Sequence, residues 1–542
     1  MKLKIPLEKK TVILLGFGIS GMAALIYEVV WTRLLILIFG STVYALSTLL
    51  TAFLGGLALG SFFVGRNLHR IKDYYLAFAI VEICIGIYGI LFPFLLSNLQ
   101  YTYFFLYETF QHSFVMFQIS QVLLYLAILI FPTFLMGATF PLASKLLISK
   151  LDNVGKDVSY IYATNTFGSV LGPIFSGFIL IPLIGLRETS LVAAILNFAV
   201  GAIIFQFSGY GKKNVLLVPV VAAGIFMANI FFSYPMNFVN FYYINQFKNI
   251  NDIDNYLKST SILFNEEGLY STVQVTSTPP NITSLRIDGH IDASNNPLDM
   301  TNQLLLAYFP MLLHPNSTSI LNIGLGGGFT AGALKNFDAN VDVVEIDRGV
   351  IDAEKYFSQY NNNALDNPKL KLIQNDARNF LLLNKDKYDV IISEPSHPIT
   401  SSVNHLFTKE FFNSVKEHLQ DNGLFAQWIP THRIDENEYK ILVNTLESEF
   451  PYVSIWNSST ISGMGDTVLI ASKNSYDLNF SSFANPKVAY DLQNIGISSE
   501  KELGSLLILN FSDSKNFVKD THILNTDDFP VVEFLIPQSF FR

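Results

Sequence analysis

The sequence predicts a multi-pass α-helical membrane domain followed by an α/β Rossmann-like domain with an N-terminal β-hairpin. Three observations predict it. The 542 residues are 50% hydrophobic but only 15% charged, against about 25% charge in ordinary soluble domains. The charge is divided unevenly: residues 1–240 hold 14 Lys+Arg and 8 Asp+Glu, whereas residues 241–542 hold 21 and 36. Beyond residue 315, short apolar strands alternate with helical patterns, the mark of βαβ units and a parallel sheet. The acidic second half excludes a nucleic-acid footprint, which needs a basic face. The single cysteine, Cys84, lies in an apolar run, which excludes disulfide frameworks and cysteine metal sites, and no metal is expected.

Taken in order, apolar stretches run over 11–39, 43–64, 74–97, 115–143, 160–184, 189–207 and 215–234. Each reaches the roughly 20 residues that cross a bilayer core. The first continues past the length of a signal-peptide core and leads into another span, so the N-terminus is expected to stay attached to the cell membrane. Segments 1–10, 65–73, 145–157 and 209–214 hold twelve Lys or Arg, and the intervening connections hold one, Arg187. That bias places the N-terminus in the cytoplasm. With seven spans it places everything after residue 235 outside; if one weak span is re-entrant or interfacial, the second half returns inside.

Glu28 and Arg33 sit within Tyr27-Glu28-Val29-Val30-Trp31-Thr32-Arg33, where an unpaired charge costs roughly 2.5 kcal/mol or more. Partners on other helices are expected, with Asn165 a candidate for Glu28. A substrate or proton path and a buried structural cluster both fit. Glu82 has no partner evident in the sequence. Gly56 with Gly60, and Gly168 with Gly172, have the small-xxx-small spacing of close helix packing.

The membrane domain is assigned to residues 1–235 and an aromatic, polar connector to 236–262. A β-rich subdomain at 263–315 carries a hairpin, 270–276 and 283–289, around Thr278-Pro279-Pro280-Asn281. The Rossmann-like domain covers 316–475, with strands at Ser319–Ile323, Val341–Ile346, Leu370–Gln374, Tyr388–Ser393 and Gly423–Ile429 and helices of about 10 residues between them. Val453–Trp456 and Thr467–Ala471 are expected as an antiparallel edge, and 476–542 as a C-terminal cap.

In such a sheet ligands bind at the carboxyl ends of the strands. The first strand is followed by Gly324-Leu325-Gly326-Gly327-Gly328, glycines that let backbone approach a ligand and open a helix. Phe329 occupies the sixth position, so the dinucleotide pattern is incomplete. Glu345 closes the second strand, where a carboxylate can accept both hydroxyls of a ribose, and Asp347 follows. Asp376, after the third strand, is placed to bond an adenine amine. The fourth ends in Ser393-Glu394-Pro395-Ser396-His397-Pro398, a carboxylate and an imidazole that could serve as base and partner, or a turn stiffened by its prolines with a solvent-facing histidine.

Leu269-Tyr270-Ser271, Arg286-Ile287-Asp288-Gly289, the glycine loop, Val344-Glu345-Ile346-Asp347, Asn375-Asp376-Ala377 and Glu394-Pro395-Ser396-His397-Pro398 follow in order the landmarks of the spermidine synthases, the polyamine aminopropyltransferases, over about 265–475. With Tyr27 to Arg33, Asn165-Thr166-Phe167-Gly168 and Asn525-Thr526-Asp527-Asp528-Phe529-Pro530, the chain resembles the membrane-fused spermidine synthase-like proteins of bacteria. The resemblance implies a spermidine synthase/methyltransferase-type fold. It also implies decarboxylated S-adenosylmethionine, or S-adenosylmethionine, as donor substrate. Gly324, Gly326, Gly328, Glu345, Asp347, Asp376, Ala377 and Ser271 would hold that donor, Ser271 standing where the family has glutamine. Glu394 and His397 fall on the family's Asp-x-x-Asp loop, and Glu394 would be the base.

The family's amine site is altered. Its glycine-loop aspartate falls at Gly327, and the histidine and glutamate of its Tyr-His-Glu motif fall at Gln303 and Leu304. A diammonium substrate needs carboxylates to offset its desolvation, so putrescine is not the expected acceptor. Gln303, Asp292, Asp299 and Tyr270 are the candidate substrate-binding residues; Asp292, Asp299 and the Asp527-Asp528 pair are spare acids that could line an altered pocket, and turns and solvated surface fit them at least as well. The expected partners are the lipid bilayer and an amine, either a small molecule or linked to peptide or lipid. Soluble members of the family commonly form dimers, so a homodimer is an expectation of the resemblance, although the membrane half could satisfy or block the same surface. Two other readings stand beside the transferase: a cofactor-free enzyme acting on an extracytoplasmic substrate, and a transporter or scaffold whose soluble domain only senses a ligand.

Overall fold

The computed structural model describes residues 7–148, 151–210, 238–401, 403–432, 434–459, 466–480, 483, 485–539 and 541. They divide into two compact units, one almost wholly before and one almost wholly after residue 250.

The first unit is helical: α1 (Leu7–Phe39), α2 (Val43–Asn67), α3 (Tyr74–Phe110), α4 (Phe114–Leu147), α5 (Val154–Phe175) and α6 (Ile181–Phe205), the last two joined by a π-helical turn at Ser176–Leu180. Among the described residues five runs are long and apolar enough to cross a membrane, the fifth being the 52 residues Val154–Phe205. One straight helix of that length would be about 78 Å long, more than twice the hydrocarbon thickness of about 30 Å. It is not straight, because Gly185 leaves the helical region at φ 88°, ψ 171°. The packing on α1 shows the reversal. Gly18 lies against Thr164, and further along α1 Met22 lies against Gly172, so α5 runs with α1. On α6, Val200 and Ile204 face Gly16, whereas the earlier residue Asn197 shares Glu82 with Ser20. The expected spans at 160–184 and 189–207 are therefore the two arms of a helical hairpin. The seventh stretch, 215–234, lies outside the described residues.

Glycine spacing sets how closely these helices approach. A Cβ on Gly168 would sit 1.9 Å from the Gly18 carbonyl oxygen, and one on Gly56 would sit 1.8 Å from Thr133 Oγ1. The polar residues pair differently from the sequence expectation. Asn165 Oδ1 packs on Gly21, where a Cβ would lie 2.4 Å away. Gly21 is two helical turns before Glu28, and the Glu28–Asn165 pair does not form. Glu82 does have partners: it is fully buried and accepts from Ser20 Oγ at 2.6 Å and Asn197 Nδ2 at 2.7 Å. Its partners come from α1 and α6, too distant in sequence to be visible there; bonding offsets the cost of a carboxyl in an apolar bundle.

The second unit opens with α7 (Ile250–Ser259) and the strands β1 (Ser261–Glu267), β2 (Thr272–Thr278), β3 (Ile282–Ile287) and β4 (His290–Ser294), an antiparallel sheet in that order. The expected hairpin is its centre, β2 with β3, Val273 opposite Ile287. Asp288 and Gly289, at φ 49° and 82°, make the tight turn into β4 that an Asp-Gly pair favours.

Next come α8 (Pro297–Leu313), β5 (Ser319–Ile323), α9 (Phe329–Leu334), β6 (Asn340–Glu345), α10 (Arg348–Ala353), β7 (Leu370–Gln374), α11 (Ala377–Leu383), β8 (Tyr388–Ser393), α12 (Lys409–His418) and β9 (Leu419–Ile429). Then follow α13 (Glu436–Glu447), β10 (Tyr452–Asn457), β11 (Thr467–Ser472), α14 (Pro486–Asn494), α15 (Glu500–Gly504), β12 (Leu507–Leu509), α16 (Phe511–Val518) and α17 (Val531–Ser539). The large sheet has the order β12-β10-β11-β9-β8-β5-β6-β7. Its five strands from β9 to β7 are parallel and the remainder antiparallel. The connecting helices α9 and α10 have 6 residues each, shorter than the sequence pattern suggests. The expected edge pair is present, and β12 carries the sheet past residue 475 into the expected cap.

One face of the sheet packs on α8. Leu305, Leu306, Phe309 and Met311 of α8 pack on Ile320, Val343, Val390, Ile392 and Ala426 of the sheet, nearly all without exposure. Trp456 lies 5.3 Å from Phe309 and 5.2 Å from Phe480, centroid to centroid. Chain order reverses between β5 and β8, which places a topological switch point, and with it the crevice where ligands bind in such folds, at Gly324 and Glu394.

Candidate functional site

The glycine loop leaves β5 beside the loop leaving β8. The Glu394 amide donates to the Ile323 carbonyl at 3.1 Å, and a Cβ on Gly324 would lie 2.8 Å from the Glu394 carbonyl oxygen. Gly324 and Gly328 have φ of 90° and 75°, a region other residues adopt only with strain, and Gly326 and Gly327 lie between them.

Glu345 ends β6 almost wholly buried. Its Oε2 accepts from the Leu325 amide and its Oε1 from the Asp347 amide, each at 2.9 Å. Burial pushes its carboxyl up to about 7 against those two backbone bonds. Asp347 caps α10, accepting from the Gly349 amide at 2.8 Å, and its second oxygen accepts from Ser271 Oγ at 2.6 Å. Ser271, from the turn before β2, is thereby fixed to the end of β6, while Tyr270 beside it is exposed. Asp376 caps α11, accepting from the Asn379 amide at 2.8 Å. Ala377 behind it is buried, and the Asn375 amide bonds the Glu345 carbonyl at 3.0 Å. Three consecutive strand ends thus bring Gly324–Gly328, Glu345 and Asp376 together, as the sequence predicts.

On the β8 side the carboxylate of Glu394 does not pair with His397. Its Oε2 lies 2.7 Å from Thr330 Oγ1, which in turn lies 3.1 Å from the Gln303 carbonyl oxygen. Burial, reinforced by Asp292 and opposed by Thr330, pushes Glu394 up to about 7. His397 is buried. Its Nδ1 accepts from the Ile399 amide at 3.2 Å and its Nε2 faces the His432 carbonyl oxygen at 3.4 Å. His397 is thus bonded within its own loop and does not face solvent.

Asp292 and Asp299 are drawn into the pocket, not spread over solvated surface. Asp292 is nine-tenths buried with Oδ1 3.7 Å from His290 Nδ1, and its Oδ2 has no hydrogen-bond partner. Asp299 accepts from Ser294 Oγ; burial raises its carboxyl, with Asp466 adding to the rise and His432 and His290 opposing it. Gln303 is buried and meets Thr330 through its backbone.

Sequence reasoning missed Thr330, His432 and Asp466. His432 Nδ1 lies 3.0 Å from Asp466 Oδ1, which also accepts from the Thr431 amide at 3.0 Å, and the His432 ring is 5.4 Å from that of His397. One signal could have found His432: it follows the carboxyl end of β9, the next parallel strand beside β8. Thr330 and Asp466 had no such signal. Among the described residues no group of three or more metal-type ligands could hold an ion.

The fold and site together define a Rossmann-like α/β domain with a crevice at the carboxyl ends of its parallel strands. Residues 300–475 match the spermine/spermidine synthase domain, and that part of the chain is similar to the polyamine aminopropyltransferases. It is 31% identical over 170 residues to a polyamine aminopropyltransferase of Buchnera aphidicola, covering 31% of this chain and 59% of the relative. A polyamine aminopropyltransferase of Oceanobacillus iheyensis is 23% identical over 435 residues, covering 77% of each chain. The crystal structure of spermidine synthase from Thermotoga maritima matches 48% of this chain and 88% of its own, at 20% identity and a TM-score of 0.39. The chain spans under two thirds of the first curated relatives' length.

Proposed function

We propose that the chain is a membrane-anchored transferase. It moves an alkyl group, aminopropyl in the simplest case, from a nucleoside sulfonium to an amine that is not putrescine. The observation that carries this is the meeting at one switch point of the Gly324–Gly328 loop and Glu394, with Glu345 and Asp376 at the ends of the next two strands.

The donor reading is supported by the chemistry of the residues present. The oxygens of Glu345 accept the Leu325 and Asp347 amides, which orient the carboxyl to accept from a ribose hydroxyl as well. Asp376 bonds Asn379 through Oδ1, which leaves Oδ2 to accept from an adenine amine. Decarboxylated S-adenosylmethionine, or S-adenosylmethionine itself, has the required nucleoside and sulfonium.

In the reaction an ammonium first loses a proton to Glu394. The freed nitrogen lone pair attacks the carbon next to sulfur, the C–S bond breaks, and its electron pair neutralises the sulfonium to a thioether. Nitrogen gains the alkyl group, and the proton stays on the carboxyl until solvent takes it. Glu394 suits the task because a base with a pKa near the working pH combines availability with driving force. Thr330 suits both of its states, donating to the carboxylate, or donating to the Gln303 carbonyl while accepting from the carboxylic acid. Asp292, Asp299 and Asp466 supply negative charge that the altered motifs had removed, and the unbonded Asp292 Oδ2 suits an ammonium donor. The sulfonium donor is made in the cytoplasm, so this function needs the second unit on that side of the cell membrane. That requires an even number of spans before it, so that one of the seven apolar stretches is re-entrant or interfacial.

Calorimetric titration of the detergent-purified chain with methylthioadenosine tests the reading. Binding is expected, and Glu345→Ala should weaken it at least tenfold by removing both ribose bonds, each roughly 1 kcal/mol. Unchanged binding in that variant, or none in the unmodified chain, refutes it and favours the cofactor-free or sensing alternatives.

A further inference from the structure

The segment Asn525 to Pro530 has no part in the chemistry above, yet it is bonded as if its position mattered. Asn525 is fully buried. Its Nδ2 donates to the Phe407 carbonyl at 3.0 Å and to Asn404 Oδ1 at 3.3 Å, and its amide donates to Thr445 Oγ1 at 2.9 Å. Its carbonyl accepts from the Lys409 amide at 2.9 Å. Two residues on, Asp527 holds Arg378 through both oxygens, Oδ1 to Nη1 at 2.7 Å. Asp527 Oδ1 also accepts from Thr408 Oγ1 at 2.8 Å, and the Asp527 amide donates to Glu410 Oε2 at 2.9 Å.

Two loops meet on this segment. Arg378 is the second residue of α11, whose cap is Asp376. Asn404 to Thr408 is the last part of the loop that begins at Glu394, and Thr408 caps α12. Within the same cluster Asp376 Oδ2 faces His405 Nε2 at 4.0 Å, and Arg378 Nη1 reaches the His405 carbonyl at 3.4 Å. A bidentate guanidinium–carboxylate pair fixes both distance and orientation, and its second acceptor bond, from Thr408, ties that geometry to the Glu394 loop.

We infer that Asn525 and Asp527 are positioning residues of the donor site, holding the Asp376 cap and the loop of Glu394 at a set distance so that an adenine amine meets Asp376. This rests on the donor reading proposed above. It predicts a loss confined to recognition of the base, because the Glu345 carboxylate, which would hold the ribose, is oriented by the Leu325 and Asp347 amides and not by Arg378 or Asp527.

The test compares methylthioadenosine with methylthioinosine, in which an oxo group replaces the exocyclic amine, by calorimetric titration of the full chain in detergent. The unmodified chain should prefer the adenine compound. Asp527→Asn should weaken methylthioadenosine binding about fivefold, the scale of one well-placed hydrogen bond partly open to solvent, and change methylthioinosine less than twofold. Arg378→Gln breaks the pair from the other side and should do the same if Asp527→Asn fails to fold. Asp528→Asn, the adjacent exposed acid, should match the unmodified chain. Equal weakening of both ligands, or unchanged preference in a folded variant, overturns the positioning role and leaves the donor reading standing. Absence of binding by the unmodified chain overturns the donor reading, and this inference with it.

Discussion

Replacing Glu394 by Gln should make the protein more stable above neutral pH and far less active. The carboxyl is pushed from 4.5 to about 7, chiefly by burial, and at 1.36 kcal/mol per pKa unit its ionisation in the folded chain costs about 3 kcal/mol. The folded chain holds this proton up to about pH 7, whereas the unfolded chain releases it near 4.5. Between those values the folded state binds more protons, so stability falls as pH rises, and the full cost is present by pH 8. Glutamine cannot ionise, and its carbonyl can still accept from Thr330 Oγ1, which lies 2.7 Å from the carboxylate. Relative to wild type, Glu394→Gln should therefore gain under about 1 kcal/mol at pH 5 and about 3 kcal/mol at pH 8. Transfer should fall by roughly 10²- to 10⁴-fold, the usual worth of a general base. Thermal unfolding of both proteins in detergent at the two pH values reads the first effect, and methylthioadenosine release from donor reads the second. A stability difference that does not grow with pH, or transfer undiminished in the variant, would refute the assignment of Glu394 as a buried base.

Two other outcomes follow from the structure. Gly332→Ala should lower the unfolding midpoint of the second unit, because the new Cβ would sit 1.9 Å from the Asn361 carbonyl oxygen and relief by backbone movement costs about 1–3 kcal/mol; an unchanged midpoint would mean that the α9 contact yields freely. A reporter that is active only in the cytoplasm, fused after residue 542, should be active if the sulfonium-dependent reading holds, and a silent fusion would transfer the case to the extracytoplasmic alternative.

The side of the crevice assigned by the proposal to the nucleoside was legible because its parts are local. Gly324 to Gly328, Glu345 and Asp376 each sit at a strand's carboxyl end, and the alternation of strands and helices announces those ends. The amine side was not legible in the same way. Asp292 comes from β4, Thr330 from α9, and His432 and Asp466 from either side of the antiparallel edge, so no spacing in the chain predicts their meeting. Reading Glu394 with His397 as a pair failed for a related reason. Three residues apart in a proline-bound turn, the imidazole folds back onto the amide of its own loop at Ile399, and the carboxylate turns to a threonine far away in sequence.

What the sequence determines by itself is set by short-range physics: which segments are apolar over a bilayer's thickness, where glycine permits a left-handed turn, and which strands alternate with helices. Hydrophobic periodicity and turn chemistry act over a few residues, so they can be read from a few residues. What the tertiary structure decided is every pairing between distant groups. It supplied Glu82 with Ser20 and Asn197, reversed the chain at Gly185, brought Asp292 to Glu394 and Asp466 to Asp299, and clasped Arg378 with Asp527 across 149 positions. Burial raises the cost of an unbonded charge, and only the packed chain fixes which groups are buried and which partner lies within reach.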